Sequence, residues 1–358
     1  MDMTVIRLGF DARMIMHSGI GTYIRGLLGE FGHDNNLDLT LYGDTEKTAD
    51  VSAKKISASF PIYSLREQFL FPALLKRNQE CNLHVPHYNA PIGFRGNLVV
   101  TVHDLIHLRY PASRIAYFYA RAMLTAVCRK AKAIIAVSEA TKKDLMEMLG
   151  VDEIKITVVY HGVGVAEIHS PQNFQTGGLS PLGEEGKYLL YVGMLKPHKN
   201  IKVLIEAFLK AKQEINDLKL VIAGKNFMVN YTEQFKDRKG IQFLGEIPHK
   251  RLKQLYRGAR IFIFPSLYEG FGFPPLEAMS HGIPVICSNA ASLTEVTGCA
   301  AALFDPEDTL ALANWICKLW EDRSKREAMV KKGFEQSQKF SWQICAQETF
   351  KIYQGCFS

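Results

Sequence analysis

Short apolar runs rich in β-branched residues alternate with longer amphipathic stretches along the whole chain, and this alternation limits the fold more than any other feature. The apolar runs cover residues 4–10, 97–102, 133–137, 155–159, 188–192, 219–223, 241–244, 259–265 and 284–287. Several are apolar at successive positions, as strands of a parallel sheet covered on both faces must be. Helical periodicity occupies 21–30, 138–149 and 203–212, then the stretch from Asp308 through 331 and a separate run at 340–353. Strand alternating with helix specifies an α/β fold, a doubly wound parallel sheet with helices on both sides. At 358 residues the chain exceeds what one hydrophobic core sustains, so two such domains are expected. The stretch 170–187, with Pro171, Gly177, Gly178, Pro181, Gly183 and Gly186, has the composition of a linker. The expected division is therefore 1–170, a linker at 171–187, and 188–339.

Composition closes off several classes. Hydrophobic residues at 47% and charged residues at 22% are ordinary for a soluble globular protein. The formal charge of +7 suits phosphate-bearing substrates or an anionic bilayer, though proteins that bind neither carry as much. No nucleic-acid module is present, so nucleic acid is not an expected partner. Seven scattered cysteines without a C-x-x-C pair read as reduced thiols of a cytoplasmic protein. Residues 4–10 read as a first strand rather than a signal peptide. No stretch of 18 residues is apolar enough for a membrane span, leaving a soluble protein or one resting on the membrane's inner face.

The densest chemical signal is Phe264-Pro-Ser-Leu-Tyr-Glu-Gly-Phe-Gly-Phe-Pro-Pro-Leu-Glu277. A strand ends near Pro265, a loop holding Gly270 and Gly272 follows, and a helix is expected to start at Pro274 and Pro275, where a missing N–H does no harm. Glycines let backbone amides approach a ligand, and a helix N-terminus offers amides to phosphate oxygens. Glu269 falls in the loop and Glu277 in the expected first helical turn. Either carboxylate alone would pass as an unremarkable surface acid; the two together, with paired glycines and prolines, point to a binding site.

This segment resembles the Glu-x7-Glu motif of retaining glycosyltransferases with the GT-B fold, in particular family 4. The resemblance runs over nearly the whole chain. Gly19-Ile-Gly-Thr-Tyr23 is similar to the family's first glycine-rich loop, and Thr101-Val-His-Asp104 to its central histidine segment. Val137-Ser-Glu-Ala-Thr141 and Tyr191-Val-Gly-Met-Leu-Lys-Pro-His-Lys-Asn200 match further blocks. The resemblance implies two Rossmann-like domains facing each other across a cleft that closes on the donor, with the terminal helix 340–358 returning to the first domain. It implies a nucleotide-diphosphate sugar as donor and no further cofactor. Glu277 would hold the ribose hydroxyls, and Glu269 with the amides of Phe271 and Gly272 the donor-sugar hydroxyls. Lys199 would neutralise the diphosphate, with Lys196 supplying a cation where Met194 replaces the family's frequent Arg. Gly19 and Gly21 would let their loop approach the diphosphate. His103 would sit beside the transferred sugar through its ring or its carbonyl. Gly193, Gly270 and Leu276 complete the implied donor contacts, and Glu269, Lys199 and His103 the catalytic set.

Taken singly, several of these residues have plainer readings. Gly19-x-Gly21 alone is a turn, and Ile24 breaks a dinucleotide fingerprint. A lone histidine is more often structural, and Lys199 alone reads as a solvated charge. His198 stands where a basic residue often precedes the family's lysine, and Tyr160-His-Gly-Val-Gly164 departs from its Pro-Asn-Gly-Val-Asp loop. No Asp-x-Asp pair occurs, so no carboxylate-bound metal on the diphosphate is expected. Other GT-B enzymes (a sugar-nucleotide epimerase or a phosphorylase), a glycosidase and a non-catalytic nucleotide-sugar binder are the alternatives. The Gly-Ile-Gly-Thr-Tyr form and His103-Asp104-Leu-Ile resemble bacterial mannosyltransferases of surface polysaccharide synthesis, which implies GDP-mannose first and UDP-sugars next. A glycan or polyprenyl-linked acceptor follows. Residues 105–138 contain no Asp or Glu but hold Arg109, Arg114, Arg121, Arg129, Lys130 and Lys132 among Tyr110, Tyr117, Phe118 and Tyr119. That mixture suits peripheral membrane contact through 105–132, or a core helix bearing a few solvated arginines.

Overall fold

The computed structural model describes residues 5–164, 188–225, 231–235 and 238–357. The expected linker at 171–187 lies outside the described residues. The chain divides into two compact units, Met1–Gly162 with Phe340–Ser358, and Val163–Lys339.

The first unit is built on seven strands: β1 Ile6–Asp11, β2 Leu37–Gly43, β3 Lys54–Ser57, β4 Asn82–Val85, β5 Asn97–Val102, β6 Ala133–Ala136 and β7 Ile156–Val158. Their order is β3-β2-β1-β4-β5-β6-β7, with every pairing parallel. Successive strand residues feed opposite cores. Leu98, Val100, Val102, Ile134 and Ala136 pack on one face, while Val99 and Ile135 pack on the other. That two-sided burial is the reason these segments are apolar at every position.

The opposite face carries helix Ser18–Phe31 and, beside it, the last helix, Trp342–Phe357. The two meet where Gly26 leaves room for the Trp342 ring; a Cβ at Gly26 would fall 2.2 Å from it. Tyr353 is fully buried, and its hydroxyl lies 2.5 Å from His84 Nδ1 on β4. His84 Nε2 in turn meets Thr101 Oγ1 at 2.8 Å, and that hydroxyl meets Tyr23 OH at 3.0 Å. A polar chain therefore crosses the core with its groups paired, as burial of polar atoms demands.

The second unit has six parallel strands, β8 Leu189–Val192, β9 Leu220–Ala223, β10 Ile241–Gly245, β11 Ile261–Phe264, β12 Val285–Ser288 and β13 Ala301–Phe304, in the order β10-β9-β8-β11-β12-β13. This is the strand order of a dinucleotide-binding sheet, and the first unit has the same order with one strand added. In each, the order reverses between two strands, β1 and β4 in the first sheet, β8 and β11 in the second. Ligands bind such sheets beyond the carboxyl ends of those two strands.

Two expectations need correction. Residues 309–331 do not form part of one helix: Thr309–Glu321 ends at Asp322, whose extended backbone and side-chain bond to the Lys325 amide (2.8 Å) start a second helix, Arg323–Ser337. Strands β2, β3, β4 and β13 carry no run recognised in the sequence.

Candidate functional site

The site in the second unit is assembled by the segments that leave β8 and β11. After β8 the chain passes through Gly193 and Lys196 into a 3-10 turn, Pro197–Lys199, and then into helix Ile201–Glu214. Gly193 packs against a neighbouring loop so tightly that a Cβ on Gly224 would lie 1.9 Å from the Gly193 carbonyl. The turn is tied to the exit of β11: the Leu267 amide donates to the His198 carbonyl at 2.8 Å, and Asn200 Nδ2 donates to the carbonyls of Pro265 (3.2 Å) and Pro306 (2.7 Å). Buried His198 is pushed down to about 3 by burial, then by the Lys199 and Lys196 charges, so it is neutral at pH 7.

These ties bring Lys199 Nζ to 2.5 Å from Glu269 Oε1, with both side chains mostly buried. Ser266 Oγ donates to the same carboxylate oxygen at 2.5 Å, and the Phe264 ring centroid lies 5.5 Å from the ammonium. Sequence reasoning gave Lys199 and Glu269 separate partners; the structure makes them an ion pair across the point where the strand order reverses. Gly270 and Phe271 are buried in the following loop. Ser292 Oγ donates to the Phe271 carbonyl at 2.7 Å and the Glu269 carbonyl at 3.1 Å, fixing that loop.

The loop ends at Gly272, with φ of 114°, a conformation suited to glycine, and helix Phe273–Ser280 begins there. Glu277 is thus the fifth residue of the helix, not in its first turn, because the helix starts at Phe273 and runs through both prolines. Its Oε2 accepts from Tyr256 OH at 3.0 Å, and Tyr256 stacks on His281 at 5.0 Å. Leu276 is fully buried, so its side chain belongs to the core and only its backbone could meet a ligand. Ser266, Tyr256, Ser292 and Asn200 were missed; the one local signal was Ser266, three residues before Glu269.

In the first unit, Gly19 and Gly21 lie in the opening turn of helix Ser18–Phe31 rather than in a loop. Gly19 has open space where a Cβ would stand, as approach by a ligand requires. At Gly21 a Cβ would lie 2.4 Å from the Ile15 carbonyl, so close packing accounts for that glycine. His103 follows β5. Its Nε2–H donates to the Pro86 carbonyl at 2.9 Å, its Nδ1 faces His161 Nε2 at 3.3 Å, and its carbonyl accepts from Thr141 Oγ1 at 3.2 Å. Burial pushes its ring down to about 4, which keeps it neutral. Both routes expected to serve a ligand, ring and carbonyl, therefore already have protein partners. Helix Arg114–Lys130 buries Ala120, Met123, Leu124 and Val127, while Ile115 and Phe118 are 83% and 66% exposed.

Two Rossmann-like units with parallel sheets of this order place the chain in the GT-B fold class. Sucrose-phosphate synthase from Thermosynechococcus elongatus has this fold at a TM-score of 0.80 and 19% identity, over 98% of this chain and 99% of that one. Anabaena HepE in complex with UDP and glucose gives 0.77 at 18% identity, over 98% and 100%. Within that class the family is set by sequence. Residues 18–167 match Glycosyltransferase Family 4, and residues 180–336 match the glycosyl transferases group 1 family. The chain is 31% identical over 288 residues to O-antigen chain mannosyltransferase B of Escherichia coli, 75% of this chain and 73% of that protein. It belongs to the family 4 glycosyltransferases. Among the described residues no helix is long and apolar enough to cross a membrane.

Proposed function

We propose that this glycosyltransferase moves a hexose, mannose from GDP-mannose in the first instance, to a glycan or lipid-linked acceptor with retention at the anomeric carbon. The observation that carries the reading is the Lys199–Glu269 pair beyond β8 and β11, with Glu277 on the helix that follows. On donor binding Lys199 exchanges Glu269 for the diphosphate, releasing the carboxylate to the hydroxyls of the transferred sugar. Glu277 takes the ribose hydroxyls. The bond from anomeric carbon to phosphate oxygen breaks, and the acceptor hydroxyl bonds to that carbon on the same face. Its proton passes to a departing phosphate oxygen, so no protein base is demanded. Lys199, Lys196 and backbone amides stabilise the charge that develops there. In the first unit, Gly19 gives backbone access to a ligand, and His103 would serve the sugar only by exchanging a present partner, Pro86 at its ring or Thr141 at its carbonyl.

A thermal-shift series with GDP, UDP and their sugars tests this. The cognate donor at a hundredfold its Kd should add about 2.7 kcal/mol of stability. Glu277→Ala should lose about 1.5–3 kcal/mol of that binding, one charge-assisted bond, without losing its own fold. Wild-type donor affinity in that variant would refute the ribose assignment.

We also propose that the first unit rests on an anionic bilayer. Leu65 and Phe69 are 81% and 75% exposed on helix Leu65–Arg77, where Arg66 is exposed too, and Arg114 and Arg121 are exposed on helix Arg114–Lys130 with Ile115 and Phe118. Each cation at such a surface contributes about 1 kcal/mol. The protein should sediment with anionic vesicles and not neutral ones, and Arg114→Glu with Arg121→Glu should abolish this. Equal recovery with both vesicle types, or with neither, would dismiss the contact.

A further inference from the structure

The reversal point of the first sheet, between β1 and β4, holds charged groups that are almost completely buried. The Arg13 side chain is 3% exposed, and those of Asp11 and Glu67 are fully buried. Arg13 Nε and Nη2 donate to the two oxygens of Asp11 at 2.8 and 2.6 Å, and Nη2 also donates to Glu67 Oε1 at 2.7 Å. Its guanidinium lies 4.1 Å from the Phe71 ring centroid. His87, just beyond β4, meets Asp11 Oδ2 through Nε2 at 3.2 Å and accepts from the Asn89 amide through Nδ1 at 3.2 Å. Nothing in the donor site uses these groups.

What the network holds is a set of tyrosines. Glu67 Oε2 accepts from the Tyr63 amide at 2.8 Å and from Asn89 Nδ2 at 2.5 Å. Tyr63 is pinned there at φ 63°, a left-handed conformation that a bulky residue adopts only under constraint. Asn89 Oδ1 accepts from Tyr119 OH at 3.2 Å. Tyr88 stands between His87 and Asn89, both bound into the network. The Tyr63 and Tyr88 rings are 5.9 Å apart, and His107 packs 5.7 Å from Tyr88. Burial pushes both phenols up, and the Asp104 carboxylate adds to it. Tyr63 and Tyr119 nonetheless remain 43% and 40% exposed.

We propose that Tyr63, Tyr88 and Tyr119, with the Asp104 carboxylate, form the platform that receives the acceptor saccharide, and that the Asp11–Arg13–Glu67–Asn89 network positions it. This rests on the glycosyltransferase reading above and assigns that reaction its second substrate. The C–H face of a sugar packs on an aromatic ring while its hydroxyls need acceptors at fixed places, and rings bearing hydroxyls beside a carboxylate supply both. A lipid surface needs neither strained backbone nor fixed ring geometry, and a carboxylate within the cluster opposes anionic headgroups. The location agrees: the platform lies beyond β1 and β4, and the Pro86 carbonyl two residues before Tyr88 accepts from His103.

Saturation-transfer NMR on the full chain, with methyl α-mannoside, mannobiose and N-acetylglucosamine as probes, tests the platform. At least one probe should give saturation transfer with the wild type. Tyr63→Gly suits the left-handed conformation, so its melting temperature should hold or rise while saccharide affinity falls by about tenfold. Tyr119→Phe keeps the ring and cuts its tie to Asn89; it should weaken saccharide on the order of fivefold. Nucleotide binding should be unchanged in both. Undiminished saccharide signals in both variants, or loss of anionic-vesicle sedimentation in their place, would overturn the platform and leave a lipid contact. No saccharide signal from a wild type that still binds nucleotide would overturn it as well. A wild type that binds no nucleotide would instead remove the reading beneath it.

Discussion

Lys199→Met should lower transfer turnover by roughly 10²–10³-fold, the effect of removing one preorganised group that stabilises developing negative charge. The same change leaves the part-buried Glu269 carboxylate with Ser266 as its remaining hydrogen-bonding side chain, so stability should fall as well. Breaking a buried pair costs about 3–5 kcal/mol at most, and less here because both side chains keep some exposure. The two effects separate in the double variant Lys199→Met with Glu269→Gln, which holds no unpaired charge. Its melting temperature should recover most of the loss while turnover stays low. If lysine fills the cation role as proposed, EDTA should cost the wild type far less than Lys199→Met does. Full activity in the double variant would reduce the pair to a structural tie; abolition by EDTA with rescue by magnesium would move the diphosphate onto a metal.

Arg13→Met should be the most damaging single change to the first unit, costing about 3–5 kcal/mol because two fully buried carboxylates lose their shared cation. The pH dependence identifies the cause. In the wild type burial pushes Asp11 up, but Arg13 and then His87 outweigh it and hold the carboxyl well below its ordinary range. A depressed carboxyl contributes stability above the unfolded value near 3.9, lost as pH falls through the folded one. Without the Arg13 guanidinium only His87 among the side chains still opposes burial, so the folded value rises, and the penalty is greatest at pH 7 and relaxes as acid protonates the group. The deficit of Arg13→Met should therefore shrink between pH 7 and pH 5, measured by urea unfolding. A constant deficit would mean that lost packing against Phe71, not lost charge, is the cause. Neutral buried histidines act in the background of both proteins. His84 is pushed down to about 3 and His103 to about 4, in each case chiefly by burial. Stability should decline as pH falls below about 6.5, by up to 1.4 kcal/mol per unit for each group.

The parts of the fold legible in sequence are those fixed by continuous apolar runs. Strands β5, β6, β8, β9 and β11 are buried on both faces, so no alternation blurs them. The strands missed have physical excuses. β3 is an edge strand without a fully buried residue, and β4 carries His84 in its centre. A buried histidine there is tolerated because Tyr353, 269 positions away, and Thr101 satisfy both ring nitrogens, a fact no local window contains. The donor-site residues were legible as types and in order, whereas their pairing was not. Lys199 and Glu269 are 70 positions apart, and only the reversal of strand order between β8 and β11 makes them neighbours. Arg13 escaped notice for the opposite reason. A sequence shows an arginine beside an aspartate as surface charge, and only the covering helix with Glu67 and Phe71 makes it part of a core.

The last helix has a bearing on how the protein is made. Trp342, Tyr353 and the other apolar residues of helix Trp342–Phe357 complete a core whose remaining members lie before residue 163, so the first unit cannot close until that helix has left the ribosome. The second unit is translated in between, with all its strands available, and can fold while the first still waits. Helix Ser18–Phe31 meanwhile keeps bare the groove at Gly26 that Trp342 will fill. Nascent chains stalled before residue 340 should engage chaperones through that face, and emergence of helix Trp342–Phe357 becomes the step that commits the first unit to its native form.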